Sequence, residues 1–358
     1  MSETGVDIDV LVVGLGPAGA SAAVEAARRG ASVLAIDRKQ EAGRPVQCAE
    51  LVPTMIGQEI DGLTRALRQP VRDMTTFVES EPPHTRGQFP GAMIDRASFD
   101  ADLVRRAEAA GAACAFAVSL RSLDGEGVAR LSDGRAFAPR VIVGADGPRS
   151  AVGAAVGIVN RELAETRQIT VPLLQPFAET DIFLTRRLPG GYAWLFPKRE
   201  VANLGLGGDG EWRHRFKSLL EDLHRQLIAQ GRVGESVLAI TGGAIPVGGL
   251  LQAATRFGGA AVLLAGDAAG LTNPVTGAGI ASAVVSGRLA GEAAAHIAAG
   301  DAAAAEDYAE EVHDLFAPSL SRALARRREL MAIYARRAEP TAAELRRCWI
   351  AFEEYWAA

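Results

Sequence analysis

IDVLVVGLGPAGASAAVEAARRGASVLAID, residues 8–37, spells out strand, glycine turn, helix and strand in one continuous run. IDVLVV is a short apolar run rich in β-branched residues, of the kind that forms a strand buried on both faces. GLGPAG follows, then the helical pattern SAAVEAARRG, stopped by Gly30. A second strand, SVLAID, ends in Asp37, twenty-one residues beyond Gly16. This is a βαβ unit with a glycine-rich turn at the end of its first strand. In that setting Gly14 makes the tight turn, Gly16 lets a pyrophosphate approach the backbone, and Gly19 permits close helix packing. The helix N-terminus offers N–H donors and a positive dipole. Asp37 is placed to accept the ribose hydroxyls of an adenosine, and Pro17, Ala18 and Arg38 belong to the same group of nucleotide-site positions.

Composition sets the outer bounds. The 358 residues are enough for a large core and for one to three domains, and 48% hydrophobic residues with 39 glycines read as a compact α/β protein. A net charge of −5 speaks against general nucleic-acid binding. Cys48, Cys114 and Cys348 form neither a CxxC motif nor an even disulfide framework, which fits a reducing cytoplasm. His84, His214, His224, His296 and His313 lack metal-ligand spacing, so no metal site is expected. The start, MSETGVDID, is acidic and has no signal-peptide core, and Asp267, Arg288 and Glu292 interrupt the longest apolar regions. The expectation is a cytoplasmic protein, at most peripheral at the inner face of a membrane.

Further along, SFDADLVRRAEAAG reads as a helix with Ser98 as its N-cap. Two Asp-Gly turns mark hairpins between residues 118 and 147, and strands dominate from Gln168 to Gly207. Residues 211–230 form one amphipathic helix, with Phe216, Leu219, Leu220, Leu223 and Leu227 on one side and His214 and His224 facing solvent. AAVLLAGD is another strand, leading into glycine-rich turns and a helix. The remainder is helical, with breaks expected near Pro318 and Pro340. Between Ser321 and Cys348 eight arginines stand against Glu329, Glu339 and Glu344. That basic tail is either a solvated helix face or a contact for an anionic surface or partner.

Four more stretches carry a pattern. They are Arg96 in MIDRASFDADLVRRA, Asp146-Gly147 in VIVGADGPRSAVG, Gly266-Asp267 in VLLAGDAAGLTNP, and Pro274 with Gly277 and Gly279 opening the next helix. With the first glycine turn, these resemble the p-hydroxybenzoate-hydroxylase-like flavoproteins, and within them the geranylgeranyl reductase family. PGGYAWLFPKREVANLGLG, residues 189–207, completes the likeness. It has Pro189, Tyr192, Trp194, Phe196 and Pro197, then seven residues, then Gly205 and Gly207.

The resemblance implies an α/β protein: a Rossmann-like FAD-binding domain, an inserted α+β substrate domain built on an antiparallel sheet, and C-terminal helices. The expected FAD-binding parts are residues 1–72, 97–165 and 255–300. The substrate domain is residues 73–96 and 166–254, and residues 301–358 are the helical segment. The family places Arg96 at the FAD and Asp267 at its ribityl chain. Tyr192, Trp194, Phe196, Pro197, Gly205 and Gly207 shape a pocket for a polyprenyl chain. Alternation puts the three aromatics on one sheet face, an apolar wall suited to an aliphatic substrate. Cys48, with Tyr192 and Trp194, is the catalytic candidate, as a proton donor or a gate for flavin movement, with a buried inert cysteine as the bland alternative. Where this chain has Glu50-Leu51 the family pattern commonly has glycine.

The first functional expectation is reduction of isoprenoid carbon–carbon double bonds by reduced FAD, recharged by NAD(P)H or a ferredoxin-type donor. The second is a flavin monooxygenase acting on an aromatic, including a tryptophan of a partner protein. The third is a flavin electron-transfer subunit without turnover of its own. Expected partners are a hydrophobic small molecule or lipid, with peripheral membrane or protein contact through the basic C-terminal helices, and no nucleic acid.

Overall fold

A computed structural model describes residues 8–53 and 65–357, so the acidic start at residues 1–7 lies outside it. The quoted stretch folds as read. Strands Val10–Val13 and Val33–Asp37 flank the helix Pro17–Arg28, and the two strands pair in parallel. They belong to a six-stranded sheet in the order Ala254–Phe257, Ala260–Leu264, Val141–Gly144, Val10–Val13, Val33–Asp37, Ala113–Phe116. All its pairings are parallel except that of Ala254–Phe257 with Ala260–Leu264. The central strands are apolar on both faces because both are covered, and a three-stranded antiparallel sheet of Leu120–Leu123, Ala129–Leu131 and Ala136–Phe137 adds Ala129 and Leu131 to their core. The helix Pro17–Arg28 packs on Ile280–Ala298 at very short range. A Cβ on Gly287 would lie 2.1 Å from the Ala18 carbonyl oxygen, and one on Gly291 2.3 Å from that of Ala22.

A second sheet of eight strands carries the aromatic stretch. Its path runs Ala239–Thr241, Leu163–Pro172, Val201–Asp209, Tyr192–Lys198, Glu179–Leu184, Asp73–Val78, His84–Arg86, with Ala244–Pro246 also on Leu163–Pro172. It is antiparallel apart from the pairing of Asp73–Val78 with Glu179–Leu184. Alternation divides Tyr192–Lys198 between two cores. Ala193 and Leu195 face one core with the helix Phe216–Ala229, whereas Trp194 and Phe196 face another that includes Leu345, Trp349 and Phe352 of the C-terminal segment. One face of this sheet is therefore sealed by its own helix, and the other packs on the C-terminal segment and on Ala49, Leu51 and Val275.

Some expectations shift. Asp95, not Ser98, caps the helix Arg96–Ala109, its carboxylate accepting from the Ser98 N–H at 2.8 Å; both residue types cap well, and the chain starts the helix one turn earlier. Residues 210–215 form a 3₁₀ turn before the helix Phe216–Ala229, so the expected single helix is two pieces. His224 does not face solvent: it is 9% exposed, and its Nε2 lies 3.0 Å from the Gly234 carbonyl oxygen. Pro318 does not break the tail either, but sits inside one helix, Ala304–Ala335. Pro318 is on the exposed side, where solvent satisfies the carbonyl that loses its partner.

Candidate functional site

One cavity of about 930 Å³ joins the two sheets. At its parallel-sheet end lie Gly14, Gly16, Pro17, Ala18, Asp37 and Arg38. The three glycines differ in what surrounds them. A Cβ on Gly14, at φ +100°, would fall 2.3 Å from the Ala145 carbonyl oxygen, and one on Gly19 would fall 1.7 Å from that of Gly14. One on Gly16 would meet nothing within 4 Å, because that direction is open cavity at a helix N-terminus. Asp37 is braced from both sides: Oδ2 accepts from the Leu15 N–H and Oδ1 from the Lys39 N–H, each at 2.8 Å. These contacts fix the carboxylate at the cavity edge.

The middle of the cavity is lined by Asp146 and Gly147, by Asp267, and by Pro274, Gly277 and Gly279 ahead of the helix Ile280–Ala298. Asp146 accepts from the Ala151 N–H at 2.6 Å and from Val152, turning the chain into the short helix Ala151–Ala155; burial raises its pKa above the usual carboxylate value against these bonds. Burial likewise raises Asp267, opposed by the Thr272 hydroxyl at 2.6 Å and by the charge of Arg96. Gly266 lines no part of the cavity wall but supplies, at φ +59°, the turn that brings Asp267 in.

Arg96 pairs with both oxygens of Asp100 at 3.0 Å. Burial works against its charge, and Asp100 together with the Cys48 sulfur more than offsets this, so the guanidinium stays firmly protonated. Cys48 accepts the Glu50 N–H on Sγ at 3.1 Å. Glu50 occupies the left-handed region at φ +67°, which explains why glycine suits this place in the family pattern. Here the side chain is used. Oε1 accepts from the Arg96 N–H at 3.0 Å, and Oε2 accepts from Lys198 Nζ at 2.6 Å and Asn203 Nδ2 at 3.0 Å. The Cys48 loop is thereby tied to both halves of the molecule.

The aromatic strand forms the opposite wall. Tyr192 and Trp194 ring centroids are 5.6 Å apart and those of Trp194 and Phe196 6.0 Å. Tyr192 donates its hydroxyl to the Thr276 carbonyl at 2.5 Å, and burial keeps it un-ionised. Trp194 Nε1 donates to Gln168 Oε1 at 3.1 Å, and Gln168 Nε2 in turn donates to the Cys48 carbonyl at 3.2 Å. Gly205 and Gly207 stand opposite Trp194 and Tyr192 in the neighbouring strand. A Cβ on Gly205 would lie 2.4 Å from the indole, so the glycine is the seat for Trp194. Pro197 lies beyond the last pairing with Glu179–Leu184, where a missing N–H costs no ladder bond to that strand. It does not line the cavity, nor does Gly205.

Gln168, Glu50, Lys198 and Asn203 carried no motif in the sequence; only the departure at Glu50 signalled anything. Arg327 and Trp349, from the C-terminal segment, also line the cavity. The tail arginines are largely engaged within the chain. Arg326 and Arg327 are each 6% exposed, and Arg346 and Arg347 pair with Glu81 and Glu329. Among the described residues no group of histidine, cysteine and carboxylate side chains has metal-binding geometry, and no helix is long and apolar enough to cross a membrane.

The open position at Gly16, the braced Asp37 and the glycine-rich helix start beyond Pro274 fit a flavin dinucleotide, which the first glycine turn and Asp37 would hold by its pyrophosphate and ribose. Comparison agrees: an FAD binding domain family matches residues 7–178. The protein is an FAD-dependent oxidoreductase. A digeranylgeranylglycerophospholipid reductase of Methanocella arvoryzae is 34% identical, covering 88% of this chain and 85% of its own. That of Methanocaldococcus jannaschii is 30% identical over 80% of this chain and 76% of its own. A geranylgeranyl bacteriochlorophyll reductase-like protein from Thermoplasma acidophilum superposes with a TM-score of 0.84 at 26% identity, covering 95% of this chain and 89% of its own. This chain belongs to the geranylgeranyl reductase family. A probable FAD-dependent monooxygenase from Pseudomonas aeruginosa, PqsL, shares the fold at 21% identity and a TM-score of 0.70, covering 92% and 96% of the two chains.

Proposed function

We propose that this protein saturates carbon–carbon double bonds of a geranylgeranyl-type isoprenoid. One observation carries the reading: the cavity that begins at the Gly14–Gly16 turn continues without interruption to Tyr192, Trp194 and Phe196. An aliphatic chain laid on that wall gains about 0.8 kcal/mol per buried methylene, so a long prenyl chain binds without polar contacts. The digeranylgeranylglycerophospholipid reductases among its relatives support the same substrate class.

Reduction adds one hydride and one proton across the alkene, and FAD, once bound and reduced, supplies the hydride. The chain does the rest. The aromatic wall holds the alkene flat and excludes water, while the Trp194–Gln168–Cys48 hydrogen bonds keep the wall and the cysteine loop in register. The Cys48 thiol delivers the proton to the second carbon and is reprotonated from solvent. NAD(P)H or a ferredoxin-type donor provides the two electrons of each cycle. The lipid is met at a membrane surface by peripheral contact, a reading supported by exposed Leu315 and Trp356 on the C-terminal helices.

The test is anaerobic stopped-flow reoxidation of the dithionite-reduced holoprotein by a geranylgeranyl lipid, beside reaction with oxygen alone. Fast reoxidation by lipid is expected, with Cys48→Ala retaining FAD and losing most of the turnover. Absence of reaction with lipid, with a hydroperoxyflavin-like absorbance in oxygen, would replace the reductase by the monooxygenase. Near-normal turnover of Cys48→Ala would return that residue to a packing role.

A further inference from the structure

Two polar groups lining the cavity are incompletely partnered. Arg327, on the helix Ala304–Ala335, lines the cavity with a side chain 6% exposed. One of its nitrogens donates to the Gly190 carbonyl. The nearest carboxylate oxygen, Asp209 Oδ2, is 3.6 Å from Nη2, beyond hydrogen-bond length, while Asp209 Oδ1 is engaged by the Glu211 N–H at 3.0 Å. A largely buried cation is left with a distant, partly exposed counter-charge, an arrangement that costs stability unless something else pairs with it. Burial also pushes the Arg327 pKa down, against the pull of Asp209 and Glu162.

Trp349 is the second. It is 2% exposed, lines the same cavity and lies 4.6 Å from the Tyr192 ring between centroids. Its buried indole N–H has no hydrogen-bond partner among the described residues, which leaves a donor desolvated with no bond to offset it. Both groups come from the C-terminal segment and both adjoin the start of the aromatic strand, Arg327 through Gly190 and Trp349 through Tyr192. The wall beyond, Trp194 and Phe196, is apolar.

Resting on the isoprenoid reading above, we infer that this end of the cavity receives the phosphate-bearing head of the substrate, with Arg327 as its charge partner and Trp349 as a neutral donor. A guanidinium fork matches phosphate oxygens, and an indole N–H supplies one further bond without adding charge. The prenyl chain then runs from Tyr192 toward Phe196, so the head group sets which double bond stands beside Cys48. Arg327 is in this view a specificity residue, and the C-terminal helices form part of the substrate site.

The experiment is calorimetric titration of the oxidised holoprotein with geranylgeranyl diphosphate, geranylgeraniol and inorganic pyrophosphate, on wild type, Arg327→Gln and Trp349→Phe. Wild type should prefer the diphosphate to the alcohol by roughly tenfold or more, the worth of a charge-assisted hydrogen bond. Arg327→Gln should remove that preference while leaving the affinity for the alcohol, and Trp349→Phe should reduce it. Equal wild-type affinity for the two prenyl ligands overturns the inference. So does an equal loss of both in Arg327→Gln, which marks a clasp between helix and sheet, or pyrophosphate binding that is indifferent to Arg327. If Arg327→Gln melts early or loses FAD, Trp349→Phe decides alone, and an unchanged preference there overturns the inference. Failure of both prenyl ligands to bind wild type would strike the isoprenoid reading itself, whereas binding of the alcohol without preference strikes only the head-group site.

Discussion

The two sheets both present a Gly-x-Gly, and the glycines serve opposite ends. In the parallel sheet the space beside Gly16 is left open, and that space is where a dinucleotide's pyrophosphate fits. In the antiparallel sheet the space beside Gly205 is filled by the protein's own Trp194. One glycine makes room for a ligand, the other for a side chain that then becomes the wall against which a ligand lies. Spacing alone does not separate the two cases. What separates them is the strand opposite: a bulky residue in register across the ladder claims the vacancy.

The largest effect should come from contrasting neighbours within the first turn. Gly19→Ala would drive a methyl to 1.7 Å from the Gly14 carbonyl oxygen, with the Ala145 Cβ 3.1 Å away, and should destabilise the fold by about 3 kcal/mol or more in urea denaturation. Gly16→Ala should leave the apoprotein's midpoint in place and weaken FAD retention instead. If Gly16→Ala destabilised the apoprotein as much as Gly19→Ala, the open direction would be structural and the contrast with Gly205 would fail.

Next comes the other sheet. Gly205→Ala should cost about 2 kcal/mol, because the indole 2.4 Å away must turn and Trp194 must give up Gln168. The same substitution should shift tryptophan fluorescence and leave FAD bound, the inverse of the Gly16→Ala pattern. A variant that lost FAD while keeping its emission would mean that Gly205, like Gly16, answers to the cofactor.

The same comparison explains what the sequence disclosed. The nucleotide end was legible because its parts are local: turn, helix start and Asp37 fall within one βαβ unit, and each residue type has a physical reason to be there. The aromatic strand was legible as a motif, and its period of two put Tyr192, Trp194 and Phe196 on one face. The ties that hold the cysteine loop were not legible. Glu50 meets Lys198 and Asn203 across 148 and 153 residues of chain, and nothing in the spacing of those residues foretells it. Arg327 and Trp349 were hidden for the same reason, arginine and tryptophan in a helical tail being ordinary until the tail folds back over the sheet. Local rules also misjudged details where two outcomes were close in energy. Asp95 outcompeted Ser98 as a cap, and Pro318 was tolerated because its orphaned carbonyl faces solvent.

The smallest effect tests whether the two ends also differ in charge. Asp37 is braced by two backbone N–H groups, whereas Asp267 is enclosed near Thr272 and burial raises its pKa above the ordinary 3.8, despite Thr272 and Arg96. A carboxyl whose folded pKa is raised favours the fold while protonated. That contribution is complete below its unfolded pKa and is lost as pH rises through the folded value, at about 1.4 kcal/mol for each unit between the two. Asp267→Asn keeps the shape and removes the ionisation. Between pH 4 and 7 the wild-type apoprotein should therefore lose stability relative to Asp267→Asn, measured by denaturation midpoints at each pH. Parallel curves would mean that Asp267 ionises in the folded protein as easily as in the unfolded chain. The surroundings of Asp267 would then tolerate its charge as water does, and the glycine-rich helix start at Gly277–Gly279 would be holding a carboxylate before any cofactor arrives.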